Sequence, residues 1–143
     1  MYVKNILARK GNAVVRISPE NTLLEAARVI RENKIGAMLC CDGDGKMCGV
    51  LSERDIVISI ARSGASVLDN KVSSCMTTGV YTCKESDSIK QVMEVMTSRR
   101  IRHLPVVGDD DSIVGMITIG DVVKERISET EAEAEALKAY IAT

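Results

Sequence analysis

Hydrophobic positions along the chain switch between two periods, and the same switch occurs twice. Leu23, Ala26, Ala27 and Ile30 recur at helical spacing; two short apolar runs follow, Ala37–Cys41 and Met47–Leu51, joined by the turn-forming stretch Asp42–Gly45. Ile89, Val92, Met93 and Met96 repeat the helical spacing, and the runs Leu104–Val107 and Ile113–Ile117 flank another polar stretch, 108–112. Each helical segment opens on a box of the S/T-x-x-E/Q type, Thr22 with Glu25 and Ser88 with Gln91, whose side chains satisfy N–H groups that a first turn leaves open. Arg99 and Arg100 fall where a last turn favours cations. A second helix is expected after each hairpin, opened by Ser52 or Thr118, the first ending near Ser63 and Gly64. Short strands are expected at Val14–Ile17 and Val80–Cys83, and a polar linker from Gly64 to about Asn70. Each unit therefore reads strand–helix–strand–strand–helix.

The two units are copies. Shifting the sequence by 66 residues lays 17–57 on 83–123 without a gap. Val29 meets Val95, Ile35 meets Ile101, Gly49 meets Gly115, Asp55 meets Asp121 and Val57 meets Val123. Class is kept at Thr22/Ser88, Leu51/Ile117 and Ser52/Thr118. The ungapped register carries more weight than the identities.

The last helix breaks the symmetry. From Ile119 it can run to Ile141, with Val123, Ile127, Thr130, Ala134, Leu137 and Ile141 at alternating spacings of four and three. Two readings stand: a helix folded back on its own core, or a dimer seam.

Composition mainly excludes. The chain has 143 residues and a net charge of −1, without the basic excess of a nucleic-acid binder. It has no Phe, no Trp and three Tyr, so aromatic stacking platforms are missing. His103 is the single histidine, which removes His-rich metal sites. No apolar run is long enough for a membrane span or an export signal, so a cytoplasmic protein with reduced cysteines is expected.

The stretches Ile35–Leu39 with Gly49–Asp55, and Ile101–Val107 with Gly115–Asp121, resemble a tandem pair of CBS domains, the Bateman module. The hallmark is G-h-h-[ST]-x-x-[DN] at the hairpin-to-helix junction, preceded by a short h-P-V strand. The second unit matches both parts; the first keeps Gly49, Ser52 and Asp55 but carries Met38, Leu39 and Cys40 where Leu104, Pro105 and Val106 stand in the second. The resemblance implies an α+β fold in which two β-α-β-β-α repeats pack sheet to sheet about a pseudo-twofold axis, followed by a long C-terminal helix. The linear boundaries are residues 1–65 for the first repeat, 66–79 for a linker and lead-in, 80–128 for the second repeat and 129–143 for the helical extension.

The resemblance also implies a stand-alone, non-catalytic regulatory module with clefts between the repeats for adenosine-containing ligands: AMP, ADP, ATP, NAD or S-adenosylmethionine. Asp55 and Asp121 are then expected on ribose hydroxyls, with Ser52 and Thr118 helping to hold ribose or phosphate. Arg102, His103 and Pro105 are expected to flank the Asp55 cleft, and Ile35, Gly36 and Met38 the Asp121 cleft. Arg102 and Arg54 are the phosphate candidates, and Gly120 in the slot of Arg54 makes the clefts unequal. Ile17 and Tyr81 complete the expected ligand-binding set. A carboxylate offers acceptor oxygens at a separation that suits a cis-diol, and a helix N-terminus favours phosphate.

Two alternatives remain open: an interaction module whose clefts are vestigial, and a thiol redox sensor. Against the second, Cys40 and Cys41 align with Val106 and Val107, Cys48 with Val114, Cys83 with Ile17, and Cys75 with Ile6 once Val72–Met76 is laid on Val3–Leu7. All five sit in aliphatic slots. The calcium-loop-like Asp42–Glu53 fails at Lys46 and Met47 and lies between strands. A homodimer or a docked regulated protein is the expected partner.

Overall fold

A computed structural model describes residues 1–142. Packing divides the chain into a first unit, Val14–Tyr81, and a second unit, Met1–Ala13 with Thr82 onward. The fold mixes helices with small sheets in two repeats, as the hydrophobic pattern implies.

In the first unit, β1 (Arg16–Ile17), α2 (Leu23–Asn33), β2 (Ala37–Cys41), β3 (Met47–Ser52) and α3 (Glu53–Ser63) follow in order, α1 being the N-terminal helix of the other unit, Val3–Lys10. β1 pairs parallel to β2, and β2 antiparallel to β3, with a bulge at Cys40/Cys41. Every residue of β2 is buried, which is why it reads as an unbroken apolar run rather than an alternation. Thr22 caps α2 as expected: its hydroxyl accepts from the Glu25 N–H at 3.1 Å, and Glu25 returns a bond from the Thr22 N–H at 3.0 Å.

The second unit repeats the scheme with α4 (Ile89–Arg99), β4 (His103–Val107), β5 (Ile113–Thr118) and α5 (Ile119–Ala142). Its bulge falls at Val106/Val107, the position equivalent to that in β2. The strand expected at Val80–Cys83 shrinks to one parallel bridge, Cys83 to Val106. Lys34 and Arg100, equivalent residues, both end their helices in the left-handed conformation.

The segment leading into each repeat does not stay with the repeat it precedes. Residues 1–13 join the second unit, where Val3, Ile6 and Leu7 enter the core with Ile89, Val92 and Ile117. The stretch expected as a polar linker forms two 3₁₀ turns, Ala65–Asp69 and Val72–Ser74, whose Val67 and Val72 enter the core of the first unit with Leu23, Met38 and Leu51. The physical reason is an apolar pair of anchors, Val3 and Val72, each 0% exposed, held by equivalent backbone bonds. Val3 N–H donates to the Asp87 carbonyl at 2.9 Å, and Val72 N–H to the Asn21 carbonyl at 2.7 Å.

Helix α1 lies outside the expected repeat scheme, and its Val3, Ile6 and Leu7, at helical spacing, form its buried face. Along α5, residues 130–142 are exposed, with Leu137 at 59% and Ile141 at 73%. The reading in which this helix folds back on its own core holds for its first turns, where Val122 and Glu125 are buried, and not beyond Thr130. Beyond Thr130 the helix lacks enough consecutive apolar residues on one face to bury itself.

Candidate functional site

The hallmark motif forms the strand-to-helix corner of each unit. In the first unit, β3 ends on Ser52, which pairs with Ala37 across the hairpin, while Glu53 N–H donates to the Gly36 carbonyl at 2.9 Å. Asp55 N–H donates to Ser52 Oγ at 3.1 Å, and Asp55 Oδ2 accepts from Ser52 N–H at 2.9 Å. This is a capping box with Asp in the reciprocal place, so the same side chain caps the helix and presents a carboxylate. Asp55 is half-buried, and among the described residues no cation pairs with it and its Oδ1 accepts no hydrogen bond. Arg54 beside it is exposed.

The second unit has the same corner. Thr118 pairs with His103, Ile119 N–H donates to the Arg102 carbonyl at 2.8 Å, and Asp121 exchanges bonds with Thr118 at 3.2 and 2.9 Å. One residue changes its chemistry. Lys10, the last residue of α1, places Nζ 2.7 Å from Asp121 Oδ2 and 3.0 Å from the Met116 carbonyl oxygen. Burial pushes the Asp121 carboxyl up, but the Lys10 ammonium and the bonds from Thr118 outweigh it and hold the group below its ordinary value. Sequence reasoning missed Lys10, because its partner lies 111 residues away.

The close approach behind each motif glycine differs too. A Cβ on Gly49 would stand 2.8 Å from Met76 Sδ and 2.9 Å from the Thr77 carbonyl oxygen; on Gly115 it would meet Leu7 Cδ2 at 2.8 Å. Thr77 bridges the edge of β3 through its backbone, giving and taking bonds with Val50 at 2.8 and 3.0 Å. On β5 the corresponding segment is helical and its backbone groups are committed. Side chains serve the strand edge instead: Lys10 bonds Met116, and Asn12 Nδ2 donates to the Val114 carbonyl at 3.0 Å.

The other expected ligand residues divide by unit. Ile17, Ile35, Gly36, Met38, Arg54 and Tyr81 lie with Ser52 and Asp55; Arg102, His103 and Pro105 lie with Thr118 and Asp121. Met38 at 0% and Ile17 at 8% exposure are core residues of the first unit, and Pro105 is buried in β4. Tyr81 and Arg102 are exposed, and His103 and Gly36 half-buried. Ile35 lines a groove of about 500 Å³ with Ala27, Ile30, Ile56 and Val57, which neither Ser52 nor Asp55 lines.

All five cysteines are free thiols. Burial pushes Cys40 and Cys83 up to about 12, and raises Cys41 and Cys48 as well. Such thiols stay protonated and unreactive, as small apolar side chains do. Among the described residues, no three metal-ligating side chains come together, and no helix is long and apolar enough to cross a membrane.

A duplicated α+β unit, with a hydroxyl–carboxylate box at each strand-to-helix corner and a fully buried central strand, defines a class of small paired repeat domains. The CBS-domain family matches residues 3–62 and 72–128, and the chain belongs to that family. It is similar to a crystal structure of a CBS-domain-containing protein from Agrobacterium tumefaciens, at 42% identity and a TM-score of 0.85, over 87% of this chain and 92% of that one. It is 29% identical, over 97% of its length and 71% of the relative's, to a mitochondrial CBS-domain-containing protein of Arabidopsis thaliana. A CBS domain pair solved in complex with 5′-methylthioadenosine and S-adenosyl-L-methionine aligns at 25% identity and a TM-score of 0.77, over 87% of this chain and 98% of that one. Among eight curated relatives, this chain spans between 22% and 92% of the other protein's length.

Proposed function

We propose that this chain is a regulatory module that binds adenosine-containing ligands without transforming them. The observation that carries the reading is the Asp55 corner: a half-buried carboxylate, fixed by Ser52 at a helix N-terminus, with Oδ1 unengaged among the described residues. Such a group takes two hydroxyl donors of a ribose diol, and the neighbouring first-turn N–H groups and Arg54 suit a phosphate or carboxylate nearby. Thr118 and Asp121 form the second candidate corner, with Arg102 and His103 as further polar contributors. The relative solved with two adenosine compounds supports this ligand class. The free thiols, with Cys40, Cys41 and Cys83 buried, support a cytoplasmic setting and weigh against a thiol sensor.

Thermal-shift measurements with AMP, ADP, ATP, NAD and S-adenosylmethionine test it. A ligand at a hundred times its Kd stabilises the native state by about 2.7 kcal/mol, so the midpoint rises. Combined Asp55→Ala and Asp121→Ala substitutions abolish the rise. No shift with any of the five at millimolar concentration overturns the reading.

A second, compatible role in assembly is favoured by the exposed apolar residues of the helices: Val57 at 62%, Val123 at 40%, Ile127 at 54% and Leu137 at 59%. A homodimer, or a docked regulated protein, would cover such residues. Light scattering on the full chain and on an Ile127→Glu variant reads this directly; a monomer in both removes the homodimer.

A further inference from the structure

The two motif carboxylates are alike in sequence and unlike in the bonds left to them. A carboxylate has four lone-pair positions, two on each oxygen. At Asp55, Oδ2 accepts one bond, from Ser52 N–H, so both oxygens keep capacity for a donor. At Asp121, Oδ2 accepts both the Thr118 N–H at 2.9 Å and the Lys10 ammonium at 2.7 Å, and only Oδ1 is left. A cis-diol that binds with one hydroxyl on each oxygen fits the first arrangement and not the second.

Lys10 is held in this place. Its ammonium is also tied to the Met116 carbonyl at 3.0 Å, and α1 is anchored by Val3, Ile6 and Leu7, which are 0–3% exposed. The first unit has no counterpart: laying Val72–Met76 on Val3–Leu7 puts Gly79 in the position of Lys10. The asymmetry thus follows from one side chain on one lead-in segment.

We propose that Lys10 is an internal plug that occupies the Asp121 carboxylate, so that each chain offers one ribose-binding carboxylate, Asp55, and keeps the second closed. The inference rests on the nucleotide-binding reading above and deepens it by assigning the sites unequal roles. A ligand can engage Asp121 through both oxygens only by displacing a charge-assisted hydrogen bond, the stronger kind.

Isothermal titration with AMP on the intact chain tests it. The wild type binds one AMP per chain, and Asp55→Ala binds none. Lys10→Met, which keeps the aliphatic stem and removes the charge, binds two. Lys10→Met with Asp55→Ala binds one, and Lys10→Met with Asp121→Ala returns to one. Circular dichroism establishes that each variant is folded, and Lys10→Ala replaces the methionine variant if that one unfolds. Two equivalent sites in the wild type, or an unchanged stoichiometry in Lys10→Met, overturns the plug and leaves the nucleotide reading standing. Weaker binding in Lys10→Met overturns it as well, since Lys10 would then be a phosphate ligand. Absence of AMP binding in wild type and Lys10→Met alike overturns the plug, and extended to all five ligands it overturns the nucleotide reading too.

Discussion

The two repeats differ most in how each is joined to the segment that precedes the other in sequence. In the first unit the segment 72–77 is short and lies against β3 through backbone bonds and a methionine, with Cys75 Sγ 3.3 Å from Ser59 Oγ. In the second, α1 is a helix and meets α5 through charges: Lys10 with Asp121 and Arg9 with Glu125, one helical turn apart. Ser59 stands where Glu125 would be, and Gly79 where Lys10 would be. A helix satisfies its own backbone, so it must reach a strand edge with side chains; an extended segment reaches it directly. That difference in local conformation turns a repeated motif into two chemically distinct corners.

Breaking the charged junction carries the largest expected effect. Glu125 is 2% exposed, Arg9 pairs with it, and among the described residues its Oε2 has no hydrogen-bond partner. Arg9→Met strands a buried carboxylate and is expected to cost about 2–3 kcal/mol in chemical denaturation. Ser59→Ala, the equivalent cut in the first unit, costs at most about 1 kcal/mol. Pairing Arg9→Met with Glu125→Met recovers most of the loss, because an apolar pair can fill the same space. Equal costs for the two single cuts would dissolve the distinction between a charged and an uncharged junction.

The motif glycines sharpen the comparison at intermediate size. Gly49→Ala drives Cβ toward the Thr77 backbone, which the Val50 bridge holds, whereas Gly115→Ala meets only the end of the Leu7 side chain, which can turn. Overpacking costs of about 1–3 kcal/mol are typical, and Gly49→Ala is expected near the top of that range and Gly115→Ala near the bottom. Denaturation midpoints of the two variants check the order.

The smallest effect is electrostatic. Asp121 is held below its ordinary value of 3.8, so its contribution to stability is complete above that pH and is lost as pH falls through the lowered value. Lys10→Met removes that contribution. The stability gap between wild type and variant is therefore full at pH 7 and closes below about pH 4, where the unfolded carboxylate protonates. With Lys10 35% and Asp121 25% exposed, solvent screening keeps the gap below about 1 kcal/mol. A gap that widens on acidification would contradict the assigned sign.

Much of the fold was legible because its signals are local. The caps Thr22 and Ser88, the hairpins with equivalent bulges, and the Ser52 and Thr118 corners each lie within a few residues of their partners. The aliphatic slots of the cysteines were readable from the copy, as Cys40 and Val106, both 0% exposed, illustrate. Periodicity marks Met38 and Ile17 as apolar positions but not which neighbours cover them; both side chains lie in their own unit's core. Lys10 was invisible because a lysine ending a short helix carries no local sign of a partner on a distant one.

By itself the sequence determined the duplicated strand–helix–hairpin–helix unit, its capped corners and the carboxylates at them. Those features depend on hydrogen bonds and side-chain periods inside single elements. Tertiary structure alone decided that residues 1–13 pack with the second repeat and 64–81 with the first, and that Lys10 pairs with Asp121. Such pairings are settled by which apolar anchors find a common core, and charges are then matched wherever that packing brings them.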